Sequence, residues 1–550
     1  MSTESRFMRG KIGRDNPLFS MARVTIETAF YGNNVVPVFS PSEAYKLAKG
    51  SPGTIVTDLP VHRPEKIGLE SDSKVLLFND GAVTGRCASA RRIIGEPGVN
   101  EAEYGAKIRE AIYNTRRQKM YHAQAYIGLD RDFMVKAHLL VPETHENLIY
   151  NWLLNFQPIN EFYNEMYESS ERCENEGDIF VFSDPDWQHP DHPLGLSFFD
   201  PEHNCAAILG MRYFGEFKKG TLTLAWGCAN RQRFAACHGG QKRYNLKDRK
   251  FVVGFFGLSG SGKSTLTHAK HGEKYDVTVL HDDAFVISSS NGSSVALEPS
   301  YFDKTSDYPL SSEDNKFLLS VQNVGATQDD EGRVVIVTED LRNGNGRAIK
   351  SKLWSPNRVD KFAEPVDAII WLMKDPSIPP VLKVEDPVLA SAMGATLATK
   401  RTSAERLAPG VDPDALVIEP YANPFRTYPL SDDFNRYLEL FAKRNIECYI
   451  FNTGHFGQIK VPKELTLRIL ESIVENRAEF VPWEPFQELE VMEIEGFQPD
   501  LSDADYKKLV RDRLVDRLNF LRSREVERGG FDRVPQEAAE SISLLIERLR

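Results

Sequence analysis

Residues 251–264 read Phe-Val-Val-Gly-Phe-Phe-Gly-Leu-Ser-Gly-Ser-Gly-Lys-Ser. A short apolar run that stops at glycines has the pattern of a strand buried on both faces. Its continuation, Gly257, Leu258, Ser259, Gly260, Ser261, Gly262, Lys263 and Ser264, with Thr265 beyond, fits G-x-x-x-x-G-K-[ST]. Glycines in a turn between strand and helix let backbone N–H groups approach phosphate oxygens without Cβ clashes. Lys263 is placed to reach the β and γ phosphates, Ser264 to ligate Mg²⁺, and the helix start adds positive potential. A second buried run, VTVLHDD (277–283), ends in Asp282 and Asp283. Carboxylates at the end of a neighbouring strand face the same metal–phosphate site.

Outward from this cradle the texture stays strand–loop–helix. RVVIVTE, DAIIWLM and CYIFN are further buried strands. Residues 24–140 instead alternate short apolar runs with polar turns, and VTIETAF, TIVTD, KVLLFND, HAQAYIG and DFMVKAHLLV are expected as strands. Glu101–Arg117 and ENLIYNWLLNFQPINEFYNEM are expected as helices, and the Pro-, Asp- and His-rich segment 183–195 as a loop, with His189 and His192 solvated rather than metal-bound. The polar stretch GGQKRYNLKDRK sets a boundary near 235–250. The last fifty residues are expected as charged surface helices.

Composition bounds the class. At 550 residues the chain is long enough for two large domains. Hydrophobic residues at 41% and charged residues at 27% exclude a mainly disordered or collagen-like chain. Lys+Arg 67 against Asp+Glu 79 leaves a net charge of −12, which argues against broad nucleic-acid or anionic-membrane binding. Cys87, Cys173, Cys205, Cys228, Cys237 and Cys448 form no CxxC pair, as expected in a reducing compartment. No apolar run approaches the ~20 residues of a membrane span and the N-terminus lacks a secretory core, so a cytoplasmic enzyme is expected.

The run GFFGLSGSGKSTL followed closely by HDD resembles the nucleotide site of the ATP-dependent phosphoenolpyruvate carboxykinases. Other segments resemble that family in order. TGR (84–86) matches the start of its carboxylate-binding motif, and RYFGEFKKG (212–220) its tyrosine, glycine and paired-lysine segment. His238 falls at its metal-binding histidine, and EPSYFDKTSDYPLSSED carries Lys304. NGNGRAIK offers Arg347 as the substrate- and phosphate-facing arginine, with Arg342 as an alternative. TLATKRTSAER resembles its mobile lid, and ECYIFNTGHFGQIKV its nucleotide-base segment. The chain departs from the family after Arg86 (Cys87-Ala88-Ser89-Ala90), after His238 (Gly239-Gly240-Gln241-Lys242), after Asp283, after Arg347, and at Lys460, where the family has arginine; it reads as a divergent member.

The resemblance implies an α/β, two-domain carboxykinase fold. Residues 1–240 would form an N-terminal substrate-binding domain. Residues 241–550 would form a P-loop mononucleotide-binding domain with a mobile lid at about 390–408 and a helical C-terminal tail. It implies that oxaloacetate and ATP give phosphoenolpyruvate, CO₂ and ADP in a cleft between domains, as in gluconeogenesis. Lys219, His238 and Asp283 would hold a catalytic Mn²⁺, and Ser264 would hold Mg²⁺ on the nucleotide beside Lys263 and Asp282. Arg86, Tyr213 and Arg347 would position carboxylates and CO₂, Lys304 would add charge near the transferring phosphoryl group, and Lys460, Val461 and Thr466 would line the adenine pocket. Only a neutral lysine ligates a metal, so Lys219 is expected to have a lowered pKa, helped by the cation and by Lys218. Two other readings compete: a phosphotransferase of this architecture acting on another acceptor without decarboxylation, and a nucleotide-binding regulatory protein. A monomer is expected.

Overall fold

The computed structural model describes residues 1–79, 85, 87–258, 260–306, 308–339, 345–400, 412 and 415–550. It is a mixed α/β protein of two compact units. Of the described residues, the first comprises those of 1–228 and 296–356, and the second those of 229–295, 357–400 and 412–550. Residues 296–356 therefore fold with the first unit, where the sequence reading drew one boundary at 240.

The first unit carries a large sheet through Val35–Val38, Met120–Asp130, Phe133–Pro142, Ile179–Asp184, Cys205–Leu209, Leu196–Asp200 and Arg91–Ile93. VTIETAF is not a strand: Met21–Thr28 is a helix. Its β-branched residues favour a strand, but Ser20 caps the N–H of Arg23, and Ala22 and Ile26, one helical turn apart, pack with Phe180 and Phe198. The long helix expected over ENLIYNWLLNFQPINEFYNEM breaks into Glu146–Asn155 and Glu161–Glu168. Pro158 accounts for the break, because proline lacks the N–H a continuing helix needs. A second sheet runs in the order Tyr301–Lys304, Arg347–Lys350, Leu318–Gln322, Lys74–Phe78 and Ile55–Pro60.

The second unit is built on eight strands in the order Val277–His281, Gly240–Asn245, Lys250–Phe256, Ala368–Met373, Glu447–Asn452, Val381–Val384, Leu489–Val491 and Val481–Pro482. Lys250–Phe256, Ala368–Met373 and Glu447–Asn452 are parallel neighbours and almost wholly buried, which explains their continuous apolar runs. One face packs Val253, Phe255, Ile370, Leu372 and Phe451 against Leu266, Ile469 and Leu470 of the covering helices. RVVIVTE does not join this sheet. Val334–Val337 pairs only with Gly325–Gln328 among the described residues, in the first unit. No described helix is long and apolar enough to cross a membrane.

Candidate active site

The glycine-rich turn lies between strand Lys250–Phe256 and helix Lys263–His268. A Cβ on Gly257 would lie 2.3 Å from Ser261 Oγ and 2.9 Å from Leu372 Cβ, so only glycine fits the crossing. Gly262, at φ +92°, turns the chain into the helix. Leu258 and Ser261 are buried and anchor the turn, Lys263 is half-buried, and Gly260, Ser264 and Thr265 are exposed at its rim. Ser259 lies outside the described residues.

Strand Val277–His281 delivers both carboxylates to this turn. Asp282 is buried, with Oδ2 3.6 Å from His268 Nε2 and a buried Oδ1 that makes no hydrogen bond. Burial raises its pKa, but the nearby His268, the charge of Lys263 and the Ser264 hydroxyl outweigh it, so Asp282 is held below the usual carboxylate range. An ionised oxygen without a donor, beside the Ser264 hydroxyl, suits the hydrated cation of a nucleotide complex. Asp283 Oδ1 lies 3.0 Å from His238 Nε2 and 4.0 Å from Lys263 Nζ.

His238 ends strand Phe234–His238, paired antiparallel with Ala284–Ser288 so that His238 is opposite Ala284. Its Nδ1 meets the carbonyl of Ala422, a contact that is a hydrogen bond only when Nδ1 carries the proton. Nε2 then faces the Asp283 carboxylate at 3.0 Å. Two electron-rich atoms that close are favourable with a cation or a second proton between them, so this N,O pair fits a divalent metal. Tyr421 and Ala422 hold positive φ values of 51° and 53°, a costly conformation that aims the Ala422 carbonyl. Sequence reasoning missed that loop, because nothing in its local sequence marks it. Among the described residues no group of three or more His, Cys, Asp or Glu is arranged to hold a metal.

The departure after His238 has a steric reason. A Cβ on Gly240 would fall 1.9 Å from Thr267 Oγ1 and 3.0 Å from Asp282 Oδ1. Here the backbone itself packs against the helix of the turn. The expected adenine-side residues adjoin the same region. Val461 is buried and its N–H donates to the Gly454 carbonyl at 3.0 Å, Thr466 is buried on helix Lys463–Val474, and Lys460 is exposed. Thr453 Cγ2 would lie 3.9 Å from a Cβ on Gly262.

The first unit gathers the other predicted residues. Tyr213 precedes helix Phe214–Arg231, and its ring covers Gly215 so closely that a Cβ there would lie 2.4 Å from it. Lys218 is fully buried, 3.0 Å from Glu298 Oε1 and over the Phe302 ring. Glu298 thus offsets the charge expected to act on Lys219, which is nearly buried on the next position of the helix. Lys304 and Arg347 are direct partners in the antiparallel pair, and Arg347 is in turn opposite Gln322. Arg347 is buried, and its Nε donates to Asn345 Oδ1 at 3.1 Å. Gln322 is fully buried, and among the described residues neither end of its amide makes a hydrogen bond. Sequence reasoning passed over Gln322; its signal was a polar Gln-Asn pair closing the apolar run LLSV. Arg86 and the alternative Arg342 lie outside the described residues, as do 401–408 of the expected lid. Residues 390–400 are the end of helix Pro387–Ala395 and strand Ala398–Lys400, mostly buried.

A family model described as phosphoenolpyruvate carboxykinase, of the ATP type, matches residues 60–493. This chain belongs to that family. An ATP-dependent phosphoenolpyruvate carboxykinase of Aeropyrum pernix is 29% identical over 344 residues, 58% of this chain and 67% of that protein. One of Bacillus cytotoxicus is 24% identical over 477 residues, 78% of this chain and 83% of its own. For the Eremothecium gossypii enzyme the match is 24% over 216 residues and covers 39% of that protein. The chain is an enzyme of the carboxykinase type, which converts oxaloacetate and ATP to phosphoenolpyruvate, CO₂ and ADP and uses a divalent metal.

Proposed function

We propose that the two groups of residues divide this reaction between them. Lys263 and the turn 257–265 bind the polyphosphate of ATP, with Ser264 and Asp282 on its Mg²⁺, and Lys460, Val461 and Thr466 line the adenine. Lys219, His238 and Asp283 hold Mn²⁺, and a mixed N,N,O donor set suits it better than Ca²⁺. Arg86, Tyr213 and Arg347 hold oxaloacetate by its carboxylates and keep the leaving CO₂ in line; arginine forks match carboxylates bidentately. When bound, the divalent cation supplies Lewis-acid stabilisation of the charge left on oxygen by decarboxylation. Lys304 and Arg347 offset charge on the phosphoryl group as it passes to that oxygen, since such transfer needs positioning and neutralisation rather than covalent help. Closure of the segment about 390–408 excludes water, so that the enolate is phosphorylated rather than protonated.

The carrying observation is His238 Nε2 on Asp283 Oδ1 at 3.0 Å with Lys263 Nζ 4.0 Å from the same oxygen. The net charge of −12 supports action on small molecules rather than on nucleic acid or membranes, and six buried cysteines that form no disulfide support a reducing, cytoplasmic setting, in which we read the enzyme as a monomer. Phosphorus NMR of a mixture of oxaloacetate, ATP, Mg²⁺ and Mn²⁺ tests the reading. Wild type is expected to yield phosphoenolpyruvate, and Lys263→Ala and His238→Ala to lose about two to three orders of magnitude in rate. ADP release that requires Lys263 but yields no phosphoenolpyruvate would assign the site to another acceptor.

A further inference from the structure

The second unit holds a pair of cations, Lys374 and Lys400, to which the roles above give no contact with the nucleotide. Lys374 follows strand Ala368–Met373, the parallel neighbour of the strand that leads into the glycine-rich turn, with Phe256 opposite Trp371. Ala368, Ile370 and Leu372 alternate into the core that contains Leu266 of the turn's helix. The period of two carries Lys374 to that same face, at the carboxyl end of the strand, where ligands of parallel sheets bind. The Thr453–Gly454 turn seats it. Thr453 N–H donates to the Met373 carbonyl at 2.9 Å, and a Cβ on Gly454 would lie 3.2 Å from Lys374 Cα. Thr453 in turn borders Gly262, so Lys374 and the phosphate turn flank the same two-residue turn, Thr453–Gly454.

Lys374 is half-buried, and no carboxylate lies within ion-pair distance of it among the described residues. The adjacent Asp375 is fully buried and pairs with Arg517 at 2.7 Å and Arg513 at 3.8 Å. The charge that acts on Lys374 is another cation. Lys400 ends strand Ala398–Lys400, and the Ala398 carbonyl accepts from the Lys374 N–H at 3.0 Å. Burial first, and the charge of Lys400 second, lower the Lys374 pKa, a strain that a bound anion relieves. A lone solvated lysine on a strand end is the ordinary alternative, but such a lysine extends into water rather than staying part-buried under the influence of a second cation.

We propose that Lys374, backed by Lys400, is a second lysine contact to the polyphosphate of the bound nucleotide, beside Lys263. The proposal rests on the nucleotide reading of the turn 257–265, and the experiment separates the two. Isothermal titration of wild type, Lys374→Met, Lys374→Arg and Lys263→Ala with MgATP, MgADP and AMP is the test. Lys374→Met is expected to weaken MgATP and MgADP about tenfold, the size of one charge-assisted contact, and to leave AMP unchanged, with Lys374→Arg close to wild type. Loss of MgATP binding in Lys263→Ala with wild-type affinity in Lys374→Met overturns the Lys374 assignment alone. MgATP affinity unaffected by Lys263→Ala overturns the nucleotide reading, and this proposal with it. A drop in AMP affinity equal to that for MgATP, or a fall in thermal midpoint that Lys374→Arg does not restore, shows a structural lysine and overturns the proposal.

Discussion

The phosphate turn and the Lys304–Arg347 row are assembled by different means. The turn is local: strand, glycines, Lys263 and Ser264 are consecutive, and Asp282 and Asp283 end a nearby strand of the same sheet. The row is made by register, since Lys304, Arg347 and Gln322 meet only because three separate strands, Tyr301–Lys304, Arg347–Lys350 and Leu318–Gln322, align. A local site tolerates drift elsewhere but not added atoms at its crossings. A register site tolerates side-chain exchange but not slippage, because a one-residue slip turns every side chain to the other face.

Two substitutions sharpen the contrast. The larger effect is expected at Gly240→Ala in the local site, where the new methyl would overlap Thr267 Oγ1. Thr267 Oγ1 donates to the Lys263 carbonyl, so it cannot rotate away freely. Overpacking of this kind costs about 1–3 kcal/mol, read as a lower unfolding free energy in denaturant titration. An unchanged midpoint would mean the backbone approach is looser than described. The smaller effect is expected at Gln322→Leu in the row. Replacing a buried, unpaired amide by an apolar group of similar size is neutral or stabilising by about 1 kcal/mol. If the amide serves Arg347, the same variant raises the KM for oxaloacetate while the protein becomes no less stable. Destabilisation would instead reveal a structural partner for Gln322.

The same contrast explains what the sequence disclosed. That Lys263, Ser264, Asp282 and Asp283 come together was legible because they lie in contiguous motifs flanked by buried strands. The strands Lys250–Phe256, Val277–His281, Ala368–Met373 and Glu447–Asn452 were legible for the same reason: burial on both faces leaves an unbroken apolar run. VTIETAF misled because β propensity is weak beside a helix cap and a buried Ala22–Ile26 stripe. The transfer of residues 296–356 to the first unit was illegible, since it depends on pairing between Leu318–Gln322 and Lys74–Phe78 across a long separation. The Ala422 carbonyl on His238 was hidden too, because a backbone atom has no residue type to read.

The central claim is that the turn binds the nucleotide while the row serves the keto acid and the phosphoryl group in flight. Titration of Arg347→Gln with MgADP, beside its rate of phosphoenolpyruvate formation, tests that claim most directly. The account predicts wild-type affinity for MgADP with a rate lower by about two to three orders of magnitude. A loss of MgADP affinity as large as the loss of rate would contradict it, and would make Arg347 part of the nucleotide cradle.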